Sequence, residues 1–149
     1  MSIAIIAGIS SLLGHNILLA PLGATSVIAF LGYQTKFAYP RNILYGYSIT
    51  CLIGILSALY FETNWFTFAF AIGLSILVQT IFDVVHPPSA AMPIILMSMT
   101  EPHEIFSIIF KALLPGILLM VFVAIIFNHY ILENDYPLWS DKKKKTTLP

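Results

Sequence analysis

The chain alternates long apolar runs with short polar breaks. Four runs are long enough to cross a bilayer as helices: Ile3–Ala20, Ile43–Phe61, Phe66–Val85 and Ile105–Leu132. A spanning helix needs about 20 apolar residues, at about 1.5 Å each, to cover a hydrocarbon core of ~30 Å. The first run is marginal, and the last has length to spare for tilt. Two shorter runs, Leu22–Leu31 and Pro88–Met99, reach only about 15–18 Å as helices, so neither spans alone. A proline opens each of them. At His86-Pro87-Pro88 a helix cannot continue, because each proline disfavours helical geometry in the residue before it. A new helix can start there, since its first position needs no backbone N–H. The pattern therefore predicts four long helices and two short, proline-initiated half helices.

The two short runs resemble each other. Pro21–Leu31 aligns with Pro87–Met97 at an offset of 66 positions, with identities at Pro21/Pro87, Ala24/Ala90 and Ile28/Ile94. The same offset superposes the long runs on either side. This predicts an internal repeat, with units of approximately 1–62 and 65–132, followed by a basic polar tail over 133–149. Repeats with broken helices in corresponding places are a common transporter design. If each short run carries the chain across the membrane, each unit crosses three times and the units are inverted. The N-terminus, Lys36/Arg41 and the Lys142–Lys145 run then share one side, while Glu62 and Glu101–Glu104 share the other. If the short runs are re-entrant hairpins, Lys36 and Arg41 fall opposite the lysine run. The positive-inside rule favours the inverted arrangement, with both termini cytoplasmic.

Composition agrees with a membrane location. The 149 residues are 58% hydrophobic and 9% charged, with mean hydropathy +0.89, where soluble domains carry about 25% charge. The net charge is zero, and the lysine run reads as a solvated, topology-setting tail rather than a nucleic-acid site. Residues 1–20 lack the basic flank of a secretory signal and read as a first membrane helix. Cys51 is a lone thiol in an apolar run and reads as a small core residue. Tyr60, Trp65, Tyr130, Tyr136 and Trp139 sit at run ends, as interfacial anchors do.

The half helices are also where chemistry is expected. Helix starts expose unpaired N–H groups and a partial positive charge. Gly23-Ala24-Thr25-Ser26 and Ser89-Ala90-Ala91 place small or hydroxyl-bearing residues at two such starts. If the two meet near mid-membrane, they form a site for a small anion; otherwise the small residues serve close helix packing. Asp83 and His86, three residues apart, can share a helix face and are candidates for gating or proton coupling. Arg41, with Asn42 beside it, can recruit anions at the mouth or anchor the helix to lipid phosphate. His15, Asn16 and Gln79 read as hydrogen-bonding links between helices. No grouping has metal-ligand spacing, and no hydrolase, nucleotide-binding or metalloprotease motif occurs. No cofactor and no enzymatic activity are expected.

Three motifs, in order, carry a family resemblance. They are Pro21-Leu22-Gly23-Ala24-Thr25-Ser26, Pro40-Arg41-Asn42 and His86-Pro87-Pro88. Over roughly residues 5–132 the chain resembles the HPP family of integral membrane proteins, named for the last motif. The resemblance implies a polytopic domain, commonly described with four transmembrane helices, and nitrite transport as in plastid and cyanobacterial members. Met92 and Pro93 depart from the Gly/Ala- and Thr-containing stretch usual after the two prolines, which loosens the substrate inference.

The expectation is thus an all-α polytopic membrane protein: an HPP-like domain over 1–132, in a bacterial inner membrane, forming a homo-oligomer in the lipid bilayer. Its expected function is transport of a small monovalent anion, nitrite first. The alternatives are an accessory membrane subunit or a membrane-embedded enzyme using His86 and Asp83.

Overall fold

The computed structural model describes residues 19–99 and 101–137, and all regular structure among them is helical. Helix α1 (Ala20–Leu31) carries Pro21 in its first turn, as predicted. A single 3-10 turn at Lys36–Ala38 leads into α2 (Pro40–Tyr60), again with proline at its start. Helix α3 (Trp65–Ile81) opens on a capping box. Asn64 Oδ1 accepts from the Phe66 and Thr67 amides at 2.9 and 3.1 Å, and Thr67 Oγ1 accepts from the Asn64 amide at 3.0 Å. This satisfies donors that a helix start otherwise leaves bare. Helix α4 (Pro87–Met97) begins as a 3-10 turn over the proline pair and becomes α-helical at Met92. Helix α5 (Pro102–Ile131) is continuous but widens to π geometry at Ile108–Leu113 and Ile126–Ile131. The first widening lies just before Pro115. Proline has no N–H for the carbonyl four residues back and its ring crowds that carbonyl, so a wider turn relieves the clash.

The expectation of four long spans needs correction. Among the described residues, two helices are long and apolar enough to cross a membrane: α2 with 21 residues and α5 with 30. The run expected to span as Phe66–Val85 forms only the 17-residue α3. It ends at Ile81 in a left-handed cap: Asp83 takes positive φ (50°), its amide bonds the Thr80 carbonyl at 3.2 Å and the Val84 amide bonds the Gln79 carbonyl at 2.9 Å. The first expected span, Ile3–Ala20, lies outside the described residues apart from its last two positions, and so do His15 and Asn16. Most of the expected basic tail, including Trp139 and Lys142–Lys145, is likewise outside them.

Four contacts orient the helices. Asn128 Nδ2 donates to the Ala29 carbonyl at 3.0 Å, and the Tyr136 hydroxyl donates to the Ala38 carbonyl at 3.0 Å. Burial pushes the Tyr136 phenol above its ordinary range, so it stays a neutral donor. Lys36 pairs with Asp83 at 3.8 Å. The C-terminal ends of α1, α3 and α5 and the start of α2 therefore lie together, at what we term the Lys36 end. At the opposite, Thr63 end, the Thr63 hydroxyl donates to the Met97 carbonyl at 2.9 Å. That joins the C-terminal ends of α2 and α4, with the starts of α3 and α5 close by in sequence. It follows that α1 runs opposite to α4, and α2 opposite to α5.

Burial is inverted relative to a water-soluble protein. Thr25, Thr50, Gln79, His86, Ser89 and Asn128 are buried, while Leu52, Trp65, Phe66, Leu77, Phe110 and Phe122 are exposed. Apolar side chains also fill the centre, where Leu22, Ile43, Tyr47, Met92, Leu96 and Met120 form one cluster. Such an extensive apolar exterior is stable only against hydrocarbon.

A candidate polar site between the broken helices

The polar groups inside this shell gather where the half helices meet. His86 precedes the proline pair and is fully buried. Its Nδ1 is 2.8 Å from the Phe37 carbonyl, and its Nε2 is 2.8 Å from Thr25 Oγ1 on α1. A carbonyl only accepts, so Nδ1 carries the proton. When the ring is neutral, Nε2 takes the single proton of Thr25, for which the Pro21 carbonyl one turn back, 3.0 Å from the same oxygen, competes. The Tyr47 hydroxyl on α2 lies 2.8 Å from the same Thr25 oxygen and supplies a donor to it. Its ring packs at a tilt against His86, with centroids 5.4 Å apart. The result is a chain of donors running from Tyr47 through Thr25 and His86 to Phe37.

Gln79 on α3 completes the enclosure. Its Oε1 accepts from the His86 amide at 2.8 Å. Residues in the extended stretch before α4 have no helical partner for their amides, so the glutamine takes over that task. Ser89 folds its hydroxyl back onto the His86 carbonyl at 2.7 Å. Gly46 on α2 lets the backbones close in: a Cβ there would fall 2.7 Å from His86 Cβ and 3.1 Å from Gln79 Oε1. Four elements thus converge on one histidine.

The expected site residues divide into two groups. Thr25, His86 and Ser89 come together. Pro21 and Pro88 are buried at the two helix starts, while Pro87 is exposed. Ser26 is buried but bonds its own turn at the Gly23 carbonyl, 2.7 Å away. Gly23 is half-buried beside open space, Ala24 is exposed, and Ala90 and Ala91 are half-buried. Asn42 is buried near the start of α2. Arg41 is half-buried, with Nη2 3.5 Å from the Phe82 carbonyl at the Lys36 end.

Two expectations change. Asp83 does not share a helix face with His86, because α3 has ended. It sits at positive φ (50°), its side chain 72% exposed and paired with Lys36. The backbone amides of the helix starts are not free donors either. Those of Leu22 and Gly23 bond the Leu19 carbonyl at 2.9 and 3.4 Å, and that of Ser89 bonds the His86 carbonyl at 3.1 Å. Side chains, not helix-start amides, furnish the polar groups at the junction.

Sequence reasoning passed over Tyr47, Gly46 and the Phe37 carbonyl, and it took Gln79 only as a link between helices. Adjacent Gly46-Tyr47 in mid-span was the available signal. The Phe37 carbonyl left none, since any residue type would offer the same group.

A polar interior ringed by apolar helices, two of them broken, defines a polytopic helical membrane protein. The chain belongs to the HPP family: the transmembrane region of that family matches residues 1–137. Among curated proteins it is similar to two transmembrane proteins of Dictyostelium discoideum. One is 28% identical over 129 residues, covering 83% of this chain and 45% of the relative. The other is 29% identical over 127 residues, covering 82% and 41%. The chain thus spans less than half the length of these relatives. No solved structure matches it.

Proposed function

We propose that the protein moves a small monovalent anion across the membrane, nitrite being the first candidate, by way of the junction between α1 and α4. One observation carries this reading: the Thr25–His86 hydrogen bond joins two oppositely directed, proline-initiated half helices inside an apolar shell. Buried ionisable groups in such places mark substrate or proton pathways by default.

The arrangement is a closed one. The hydroxyl of Thr25 and both ring nitrogens of His86 are already engaged. Neutral His86 also turns a lone pair, not a donor, towards Thr25, and a lone pair repels an anion. Anion entry therefore requires the Thr25–His86 bond to open and a proton to reach Nε2. Tyr47 is the titratable group packed on the ring. Exposed Asp83 is assigned no part in this step.

The opposed directions of α1 and α4, and of α2 and α5, support an inverted repeat with one unit on either side of the Glu62 loop. The positive-inside rule then sets the Lys36 end in the cytoplasm of a bacterial inner membrane. The exposed apolar faces of the described helices suit a homo-oligomer.

The test is flux. Purified protein in sealed liposomes is loaded with nitrite, and efflux is followed with and without a pH gradient. Flux that is lost in His86→Ala, with helicity unchanged, supports transport. No flux of nitrite or other small monovalent anions overturns the proposal. It would leave the fully bonded His86 as a structural tie in an accessory subunit.

A further inference from the structure

A second polar feature lies at the Thr63 end, apart from the His86 junction. The first turns of α5 and Met99, just after α4, border an open cleft of about 420 Å³, lined by Met99, His103, Glu104, Ser107 and Lys111 among others. That volume falls within the range of small-molecule sites, roughly 300–1,000 Å³. Lys111 is the only lysine or arginine between Arg41 and Lys142. The acidic residues Glu62, Glu101 and Glu104 cluster at the same end, so the lysine does not belong to a basic, topology-setting group there. It sits within the π-widened turn Ile108–Leu113 that precedes Pro115. Among the described residues, neither Lys111 nor Glu104 is in an ion pair.

Depth and charge order are informative. Helix α5 has 30 residues, so at about 1.5 Å each it outruns a ~30 Å hydrocarbon core and its first turns project beyond it. With the far end of α5 set at the opposite interface by exposed Tyr130, the excess of about 15 Å falls at its start, and Lys111, about 14 Å along, lies near the hydrocarbon boundary. Its side chain leans back towards the helix start and can carry the ammonium up to headgroup level. Glu104 lies about 10 Å nearer the helix start. Residues 104, 107, 108 and 111 share one helix face. The cleft therefore presents a cation below, a serine hydroxyl between, and a carboxylate above, towards water.

A ligand that fits this order has an anionic group at membrane depth and an ammonium further out. We propose that this cleft binds the headgroup of an ethanolamine phospholipid, with the phosphate on Lys111 and Ser107 and the primary ammonium on Glu104. A glycerol headgroup offers no cation to Glu104. A choline headgroup offers a cation without N–H donors, so it forfeits the charge-assisted hydrogen bond. The assignment does not depend on transport through the His86 junction.

Native mass spectrometry of the delipidated full chain tests it, with phosphatidylethanolamine, phosphatidylcholine and phosphatidylglycerol of matched acyl chains added in equal amounts. Ethanolamine-lipid adducts are expected to exceed both others several-fold. Lys111→Ala should lower these adducts several-fold, and Glu104→Gln should remove the preference over phosphatidylglycerol. Equal retention of the three lipids, or adduct patterns unchanged in both variants, overturns the proposal and leaves a lysine that merely reaches the interface. Soluble glycerophosphoethanolamine should fail to displace the lipid. Displacement at equal concentration would assign the cleft to a soluble zwitterion and overturn the lipid assignment.

Discussion

His86 Nε2 lies 2.8 Å from Thr25 Oγ1, across 61 residues of sequence, and this contact ties the second half helix to the first. Both residues are fully buried. Thr25→Val keeps the side-chain shape but removes the hydroxyl, leaving His86 Nε2 and the Tyr47 hydroxyl short of a partner. A lost buried hydrogen bond of this kind costs about 1–2 kcal/mol, with membrane interiors at the lower end. Thr25→Val should lower the thermal unfolding midpoint in detergent and reduce anion flux, and Thr25→Ser should restore both. A Thr25→Val protein that matches wild type in both assays would remove the contact from any functional role.

Gly46 and Gly23 should respond oppositely to the same change. A Cβ on Gly46 meets His86 Cβ at 2.7 Å, whereas nothing lies within 4 Å of one on Gly23. Gly46→Ala forces α2 away from the junction, at a cost of about 1–3 kcal/mol for overpacking. Gly23→Ala gains up to about 1 kcal/mol of helix propensity. Thermal unfolding of the two variants in the same detergent should therefore shift in opposite directions. Equal shifts would show that the approach of α2 to His86 is looser than described.

The parts legible in the sequence were those governed by local rules. Pro21 and Pro87 restrict their own and their neighbours' dihedrals, so both half-helix starts could be read directly. The pairing of Thr25 with His86 was half legible, because the two similar segments suggested that the starts converge. What could not be read depended on distant contacts. Gly46 looks like any glycine in a membrane helix until His86 is placed against it, and Phe37 acts only through its carbonyl. Asp83 misled for a local reason. Its three-residue spacing from His86 implies a shared face only if the helix continues, and α3 stops at Ile81. Lys111 was passed over, although it is the one lysine in the long apolar run that became α5.

Asp83 should be nearly silent in transport. Its pair with Lys36 is long and exposed on both sides, and such pairs contribute about 0–1 kcal/mol. Asp83→Asn should leave flux and its pH dependence unchanged, since asparagine also tolerates the positive φ of this position. Asp83→Val should lose about 1–2 kcal/mol because a β-branched side chain clashes in the left-handed region. Flux measurements that fall in Asp83→Asn would restore the aspartate to the proton path.

The inverted arrangement makes a demand that no re-entrant arrangement meets. Gln34 lies on the loop between α1 and α2, and Glu133 follows α5; both are exposed at the Lys36 end. Glu62 and Glu101 are exposed at the Thr63 end. Native Cys51 is buried, so it contributes little background to thiol labelling. Cysteines introduced singly at the four positions should divide into two pairs when cells are treated with a membrane-impermeant thiol reagent. Gln34→Cys and Glu133→Cys should behave alike, and Glu62→Cys and Glu101→Cys should behave alike in the opposite sense. The positive-inside rule further predicts that the first pair reacts only after permeabilisation, because Lys36 and Arg41 lie at that end. If Gln34→Cys and Glu133→Cys are labelled from opposite sides, α1 is a re-entrant turn, the two units are not inverted, and the path through the His86 junction loses the support of two oppositely directed half helices.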